Sequence, residues 1–179
     1  MASKGPRRLT WSALLEGRNI WTRNAVVGSS VYGEHRRRFK GIEHRRWDPN
    51  RSKLAAALVR ASGDKERLLP QKGETILYLG AGHGTTISHL HDLICGEGGQ
   101  EGGRILAVDI SPRCLRDLNH LAISRPGILP ILADARNQIS AGAQHLSFGD
   151  PDFLNGPTHA IKTVREIHWE FPHITYDAT

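Results

Sequence analysis

The sequence predicts an α/β fold built on a parallel β-sheet, with a small antiparallel β arm ahead of it. Three short apolar runs rich in β-forming residues, at 75–79, 104–108 and 128–132, alternate with helical patterns at 85–94 and 111–124. Strands that alternate with helices of about ten to fourteen residues are typical of parallel α/β sheets. We therefore expect three parallel strands. They would form one half of a doubly wound sheet, whose C-terminal half is incomplete.

The arm is predicted from β-forming runs at 19–22, 25–27 and 30–32, which glycines interrupt. Arg36, Arg37 and Arg38 are expected in an exposed turn. The last part of the chain is acidic and contains several glycines and prolines, so we expect it to be poorly ordered. The predicted division is an arm over 1–47, an α/β core over 48–136 and a divergent tail over 137–179.

Asp48 and Pro49 predict the start of the first helix. Asp48 is a favourable N-cap, and proline suits the first helical position because its missing N–H has no intrahelical acceptor there. We expect this helix to continue to about residue 62. The residues expected to face the core are Leu54, Leu58 and Ala61.

Composition excludes several classes of protein. No window approaches eighteen apolar residues, so no membrane span is expected. Residues 1–10 contain no apolar segment of the kind found in secretory signals. Cys95 and Cys114 match neither a disulfide framework nor a metal-ligand spacing. We expect a soluble, metal-free protein of a reducing compartment, the cytoplasm.

Charge is concentrated at the start of the chain. The whole sequence carries a formal net charge of +6, and residues 1–53 carry 13 basic and 4 acidic side chains. Such an excess favours a polyanionic partner, most simply a nucleic acid, although a solvated surface is the alternative. Aromatic residues interleave with these charges and would serve either in base stacking or in a small sheet. They are Trp11, Trp21, Tyr32, Phe39 and Trp47.

A glycine-rich loop and two acidic residues mark the candidate site. Gly80, Gly82 and Gly84 follow the first predicted strand, and Asp109 and Asp134 end the next two. Ligands of parallel sheets bind at the carboxyl ends of the strands, where an acidic side chain accepts hydrogen bonds from ribose hydroxyls. Asp134 could reach an adenine edge or a ligand ammonium group. The pattern favours a cofactor that contains adenosine.

The loop argues against two common nucleotide sites. A dinucleotide fingerprint has a third glycine at the position that Thr85 occupies here, and a P-loop requires Gly-Lys-Ser/Thr, which does not follow. S-adenosylmethionine has no pyrophosphate, so the helix N-terminus would be free to hold its carboxylate. The spacing therefore favours S-adenosylmethionine, while a purely structural tight turn remains the alternative.

Six stretches resemble the fibrillarin family in its archaeal form. The resemblance covers about residues 9–136 and is more specific than the loop and acids that methyltransferases share. The stretches are Val31–Glu34, Arg46–Ala56, Tyr78–His89, Val108–Arg113, Arg116–Leu118 and Pro130–Arg136.

The resemblance implies a Rossmann-like methyltransferase sheet and an activity. Members transfer a methyl group from S-adenosylmethionine to the ribose 2′-hydroxyl of rRNA, and tRNA is a further expected substrate. The implied partners are a C/D box guide RNA with its target rRNA, a Nop-family scaffold protein and a kink-turn-binding protein of ribosomal type. No membrane partner is implied.

The resemblance also implies roles for single residues. Lys53 is the expected catalytic residue, as the first member of a lysine-based set. The residues expected to bind the cofactor are Gly80, Ala81, Gly82, Gly84, Thr85, Thr86, Asp109, Ile110, Asp134 and Ala135. Three positions differ from the family: Asp109 is usually glutamate, Ile110 is usually aromatic, and His83, usually a small residue, is expected to crowd the loop.

The resemblance ends after Arg136. The family's later Asp-x-Ala-Gln element is not found in residues 137–179, and Lys162 is a weak candidate for its second catalytic lysine. We therefore expect a truncated or divergent member. Three hypotheses remain open: an RNA ribose methyltransferase, a non-catalytic module that binds RNA or cofactor, and a methyltransferase of small molecules.

Overall fold

The computed structural model describes residues 5–134, which form two β-sheets with helices between and beside them. The first sheet is antiparallel and has the strand order β1-β2-β3-β5-β4. Its strands are β1 (Arg7–Arg8), β2 (Ala13–Glu16), β3 (Asn19–Arg23), β4 (Arg36–Phe39) and β5 (Ile42–Trp47). The predicted antiparallel arm is therefore present.

Two tight hairpins set the register of this sheet. Gly17, with φ +61°, begins the turn between β2 and β3, and Lys40 and Gly41, with φ +49° and +81°, join β4 to β5. Positive φ at both central residues, as at Lys40 and Gly41, is typical of type I′ turns, whereas positive φ at the first central residue alone, as at Gly17, is typical of type II′ turns. The prediction of a turn at Arg36–Arg38 was wrong, because these exposed residues form β4 and pair with β5. The runs 25–27 and 30–32 are not strands either.

The first helix begins later than predicted. Asp48 does not cap a helix: its carboxylate accepts a hydrogen bond from the Asn50 N–H at 2.9 Å, which closes a local turn. Helix α1 (Lys53–Arg60) is capped instead by Ser52, whose Oγ accepts from the Ala55 N–H. Leu54 and Leu58 are buried as expected, and Ala61 packs against the same core from just beyond the helix.

The second sheet confirms the predicted α/β core. Its parallel strands are β6 (Thr75–Leu79), β7 (Arg104–Asp109) and β8 (Ile128–Leu132), in that order. Helix α2 (Thr85–Ile94) connects β6 to β7, and helix α3 (Pro112–Ser124) connects β7 to β8. Short 3₁₀ helices lie at Lys65–Leu68 and Glu97–Gly99.

Helix α2 lies between the two sheets and is buried over nearly its whole length. It packs against β3 of the arm and against β7 of the parallel sheet. One apolar core therefore joins the arm to the α/β part of the chain. Its large members include Ile20, Trp47, Leu58, Ile87, Leu90, Ile94 and Ile105.

The aromatic residues of the basic segment hold the arm against α2. Trp47 is fully buried and stacks on the His89 ring, with centroids 5.1 Å apart. Trp11 donates from Nε1 to the Leu93 carbonyl at 2.6 Å, and Tyr32 OH lies 2.8 Å from His89 Nε2. These contacts favour the sheet interpretation over base stacking for Trp11, Tyr32 and Trp47.

A buried ionic network centred on Asp92 crosses the same interface. One carboxylate oxygen accepts from Arg45 Nη2 at 2.7 Å, and the other accepts from Arg125 Nη1 at 2.6 Å. Thr22 Oγ1 donates to Asp92 at 2.8 Å, and Arg45 also pairs with Glu34. Side-chain exposure is at most 1% for Asp92, Arg45, Arg125 and Glu34. The network links the arm, α2 and the segment after α3.

His89 completes this network in its neutral form. Thr22 donates its one hydroxyl proton to Asp92, so it must accept from His89 Nδ1–H, 2.7 Å away. His89 Nε2 then accepts a hydrogen bond from Tyr32 OH, 2.8 Å away. Burial, reinforced by the Arg45 charge, lowers the pKa of His89 well below its usual value.

Within residues 5–134, no helix has both the length and the apolar character that crossing a membrane requires. The predicted tail, including Lys162, lies outside the described residues, and so does Ala135.

Candidate functional site

The glycine loop folds back over the end of the neighbouring strand. The N–H groups of Gly80 and Ala81 both donate to the Val108 carbonyl at 2.9 Å, and the Gly84 N–H donates to Ala81 at 3.2 Å. The loop is therefore a tight turn at the carboxyl ends of β6 and β7, where sheets of this kind bind ligands.

Two glycines of the loop serve different purposes. Gly84 has φ +87°, and a Cβ there would lie 2.7 Å from Leu121 Cδ2, so only glycine fits between the loop and α3. Gly82 has φ +56°, and a Cβ there would meet nothing within 4 Å. The space beside Gly82 is open, as close approach of a ligand to the backbone requires.

Asp109 ties the loop to the following turn. One carboxylate oxygen accepts from the Gly82 N–H at 2.7 Å and the other from the Ser111 N–H at 2.9 Å. Each oxygen has a second lone pair with which it can accept from another donor. The structure thus brings together two features predicted separately, the glycine loop and the acid that closes β7.

The amino end of α2 supplies donors for an anion. Its N-cap is Gly84, which has no side chain to cap the first turn. The backbone N–H groups of Thr85 and Thr86 have no acceptor within the helix, and the helix dipole favours negative charge near them. This end of α2 suits a carboxylate group.

Thr86 positions the candidate catalytic residue. Its hydroxyl donates to Ser52 Oγ at 2.9 Å, and Ser52 is the N-cap of α1. Lys53, the first residue of α1, is exposed and is thereby placed at the amino end of α2. Ser52 was not predicted as part of the site, although its position as an N-cap before a helical run was the signal.

Two more predicted residues lie at the strand ends. Ile110 follows β7 and is 64% exposed, as an apolar surface for a flat base would be. The Ala133 N–H donates to the Asp109 carbonyl at 3.1 Å, so the half-buried Asp134 follows directly beside the end of β7.

These groups together suit one chemical type of ligand. Acceptors for hydroxyls, an exposed apolar side chain and a helix amino end meet around an open space beside Gly82. They fit a molecule that carries a ribose, a flat aromatic base and an anionic end. Among residues 5–134, no group of three or more His, Cys, Asp or Glu side chains could hold a metal ion.

The family model and the curated relatives that match this chain point to the same family. The sequence model of the Fibrillarin family matches residues 11–141. Fibrillarin-like rRNA/tRNA 2′-O-methyltransferases from Thermococcus sibiricus and Saccharolobus islandicus are 47% and 46% identical over 116 and 117 residues. These matches cover 65% of this chain but 48% and 47% of the relatives. The chain thus spans about half the length of the curated relatives it matches.

Solved structures agree with this result. Aeropyrum pernix fibrillarin, crystallised with natively bound S-adenosyl-L-methionine, matches with a TM-score of 0.60 and 41% identity, over 72% of this chain and 54% of that one. Methanococcus jannaschii fibrillarin, a pre-rRNA processing protein, matches with a TM-score of 0.61 and 32% identity, over 78% and 59%. A chain of a fibrillarin/Nop5p complex matches with a TM-score of 0.59 and 33% identity, over 77% and 58%. The sheet is thus of the Rossmann-like methyltransferase type, and the chain belongs to the fibrillarin family.

Proposed function

We propose that this chain binds S-adenosylmethionine in the loop of residues 80–84 and takes part in methylating the ribose 2′-hydroxyl of RNA. The observation that carries the proposal is the 2.7 Å hydrogen bond from the Gly82 N–H to Asp109, beside the open amino end of α2. Asp109 would accept from the ribose hydroxyls, Ile110 would pack on the adenine, and the first turn of α2 would hold the carboxylate. Bound there, the cofactor would supply a methyl group on a sulfonium.

Lys53 is proposed as the catalytic residue. An ammonium group near the target hydroxyl would orient it and stabilise the negative charge that develops on its oxygen. The remaining contribution of the protein is alignment of the two reacting groups. The contact between Thr86 and Ser52 supports this role, because it fixes the start of α1 beside the loop.

The exposed arginines of the arm support an RNA substrate. Strand β4 lies at an edge of the arm sheet and presents Arg36, Arg37 and Arg38 to solvent. Glu16 pairs with Arg37 at 3.0 Å and Glu43 with Arg36 at 3.6 Å, so part of this charge is neutralised. The excess over residues 1–53 would still attract phosphates, with an affinity that falls as salt rises.

The proposed setting is a ribonucleoprotein. A Nop-family scaffold is supported by the relative solved with Nop5p. A C/D box guide RNA, its target rRNA or tRNA and a kink-turn-binding protein complete the proposal, which for these partners rests on the family. Both cysteines are free thiols, which agrees with the proposed cytoplasmic location.

A second candidate function is binding without turnover. One observation of the sequence favours it: residues 137–179 contain no Asp-x-Ala-Gln element, which the family implies as a later part of the catalytic set. Binding of cofactor or RNA would then contribute to assembly of the particle rather than to methyl transfer.

Titration calorimetry with S-adenosylmethionine and S-adenosylhomocysteine tests the cofactor site. Asp109→Ala should weaken binding about 10- to 100-fold, since a hydrogen bond to a charged group contributes about 1.5–3 kcal/mol. Glu97→Ala is the matched control, because it removes the same charge beyond the opposite end of α2. Absence of binding by the wild-type chain would refute the proposal.

Methyl transfer from labelled cofactor to a guided RNA in a reconstituted particle separates the two candidates. Turnover that falls about 100-fold or more in Lys53→Ala supports the catalytic proposal. Arg60→Ala removes an equal charge from the last turn of the same helix and should leave the rate unchanged. Binding without turnover by the wild-type chain would select the assembly role.

A further inference from the structure

Three side chains beside the glycine loop form a nucleophile–base–acid series. His83, in the loop, lies with Nδ1 2.6 Å from Asp117 Oδ2 on α3. Its other ring nitrogen, Nε2, lies 4.0 Å from Cys114 Sγ in the first turn of α3. His83 therefore does not crowd the loop as expected, because its ring is directed to α3.

The geometry selects the histidine form that can act as a base. The Asp117 carboxylate can only accept, so His83 Nδ1 carries a proton, and in the neutral ring Nε2 is then the nitrogen that has the lone pair. The hydrogen bond from His83 lowers the pKa of Asp117, which keeps that carboxylate charged. A sulfur near a histidine base that an acid orients is the arrangement that activates thiol nucleophiles.

The two cysteines of the chain have opposite surroundings. Cys114 is partly exposed and lies in the first turn of a 13-residue helix, next to Arg113 in the chain. Cys95 is fully buried and donates to the Gly103 carbonyl at 3.1 Å. Burial raises the pKa of Cys95 to about 12, so it serves as an internal unreactive reference.

We propose that Cys114 is a nucleophilic thiol that exchanges with small disulfides, with His83 as its base and Asp117 as the residue that positions the base. The Cys114 proton passes to His83 Nε2, and the thiolate attacks one sulfur of the incoming disulfide. A new S–S bond forms to Cys114 while the original S–S bond breaks, and the departing thiolate takes the proton from His83. The Cys114 sulfur is oxidised to the disulfide level, the departing sulfur is reduced to a thiol, and the transferred sulfur keeps its oxidation state in the mixed disulfide.

This site touches the proposed cofactor site through the loop itself. His83 lies between Gly82, which bonds Asp109, and Gly84, which packs on Leu121. A group attached to Cys114 Sγ would lie beside the His83 ring, whose Nε2 is 4.0 Å away. Resting on the proposed function, we infer that the mixed disulfide weakens binding of the S-adenosyl ligand, so that oxidation switches the site off.

The test uses dithiobis(nitrobenzoic acid), a coloured disulfide, on the native chain. We expect one rapid equivalent of released thiol, lost in Cys114→Ser, and a rate that falls about tenfold or more in His83→Ala. His120→Ala is the matched control, because His120 is exposed on the same helix outside the cluster, and its rate should equal the wild type. An unchanged rate in His83→Ala would overturn the proposal.

Asp117→Asn tests the positioning role through the pH profile of the same reaction. The charged or titratable groups that act on Asp117 are His83 on the loop and Arg116 and Arg113 on α3. Loss of the Asp117 charge destabilises the imidazolium, so the pH midpoint of the labelling rate should move upward. An unmoved midpoint would contradict a role for Asp117.

Labelling in the presence of S-adenosylhomocysteine tests the inferred switch. In protein that calorimetry shows to bind S-adenosylhomocysteine, Cys114 should be labelled more slowly when the ligand is saturating. Because coupling between two sites is reciprocal, the mixed disulfide should in turn bind S-adenosylhomocysteine more weakly. Equal rates with and without bound ligand would overturn the switch. Rapid labelling by a chain that binds no S-adenosylhomocysteine would refute the proposed cofactor but leave the reactive thiol supported.

Discussion

Replacing Asp92 with asparagine should remove a large part of the free energy of unfolding of this chain. The carboxylate is fully buried and accepts five hydrogen bonds, from Arg45 Nε and Nη2, Arg125 Nη1, Thr22 Oγ1 and the Ala25 N–H, at distances from 2.6 to 3.1 Å. Asparagine has the same shape but only one acceptor oxygen. Its NH₂ group would therefore face some of these donor groups and could not accept hydrogen bonds from them.

The magnitude follows from the charges left behind. Arg45 keeps Glu34 as a partner, whereas the 1%-exposed side chain of Arg125 loses the carboxylate it pairs with. Removing one partner of a buried ion pair costs about 3–5 kcal/mol. Because domains have about 5–15 kcal/mol of stability in total, the variant should approach the limit of folding.

Urea unfolding followed by tryptophan fluorescence measures this loss. Glu16→Gln breaks the exposed pair with Arg37 and should cost less than about 1 kcal/mol, which makes it the control. Adding Arg125→Met to Asp92→Asn should restore part of the stability, because the unpaired charge is gone. A loss below about 1 kcal/mol in Asp92→Asn would refute the view that this carboxylate holds two buried cations.

Other predictions concern acidity, packing and positioning. Burial, and after it the Arg125 charge, lowers the pKa of His91 to about 4, so stability should be full above about pH 6.5 and fall as the pH drops towards 4. Urea midpoints of His91→Gln should therefore change less between pH 7 and pH 5 than those of the wild type, and equal changes would contradict this. Gly84→Ala should destabilise by about 1–3 kcal/mol in thermal or urea unfolding, because of its positive φ and its contact with Leu121, and more than Gly82→Ala, which meets open space. Thr86→Val should lower the free energy of unfolding in urea by about 1 kcal/mol, because the hydrogen bond to Ser52 is lost. In the same variant, the rate of methyl transfer in the particle should fall more than the affinity for S-adenosylhomocysteine. An equal fall in both would count against a role of Thr86 in placing α1.

The parallel sheet was predictable because its signals are local. Helix α2 begins after Gly84 and helix α3 after the Ser111 cap, as predicted from single residues, and β8 matches the predicted run. Apolar runs between such signals indicate strands whatever the rest of the chain does. The neighbours of each strand also follow, since short connections place consecutive strands side by side.

The errors have physical causes that local patterns do not contain. Arg36–Arg38 forms a strand because β5 supplies hydrogen-bond partners, and β-structure depends on such pairing more than on composition. Asp48 was a plausible cap, but its carboxylate bonds the Asn50 N–H and Ser52 takes over one turn later.

The polar face of α2 shows what was missed altogether. Ser88, His89 and Asp92 indicate a solvated surface when taken alone, yet all three are buried. Their partners include arm residues up to 70 positions before Asp92 and Arg125 33 positions after it, so only the folded structure reveals the network.

The clamped position of α2 has a consequence for how the molecule melts. Trp47 and Arg45 of the arm complete the surroundings of His89 and Asp92, so the parallel sheet without the arm would expose an apolar face and leave Asp92 with Arg125 as its remaining cation. The two sheets should therefore lose their structure in one cooperative transition, with amide protons of β3 and β7 exchanging at similar rates.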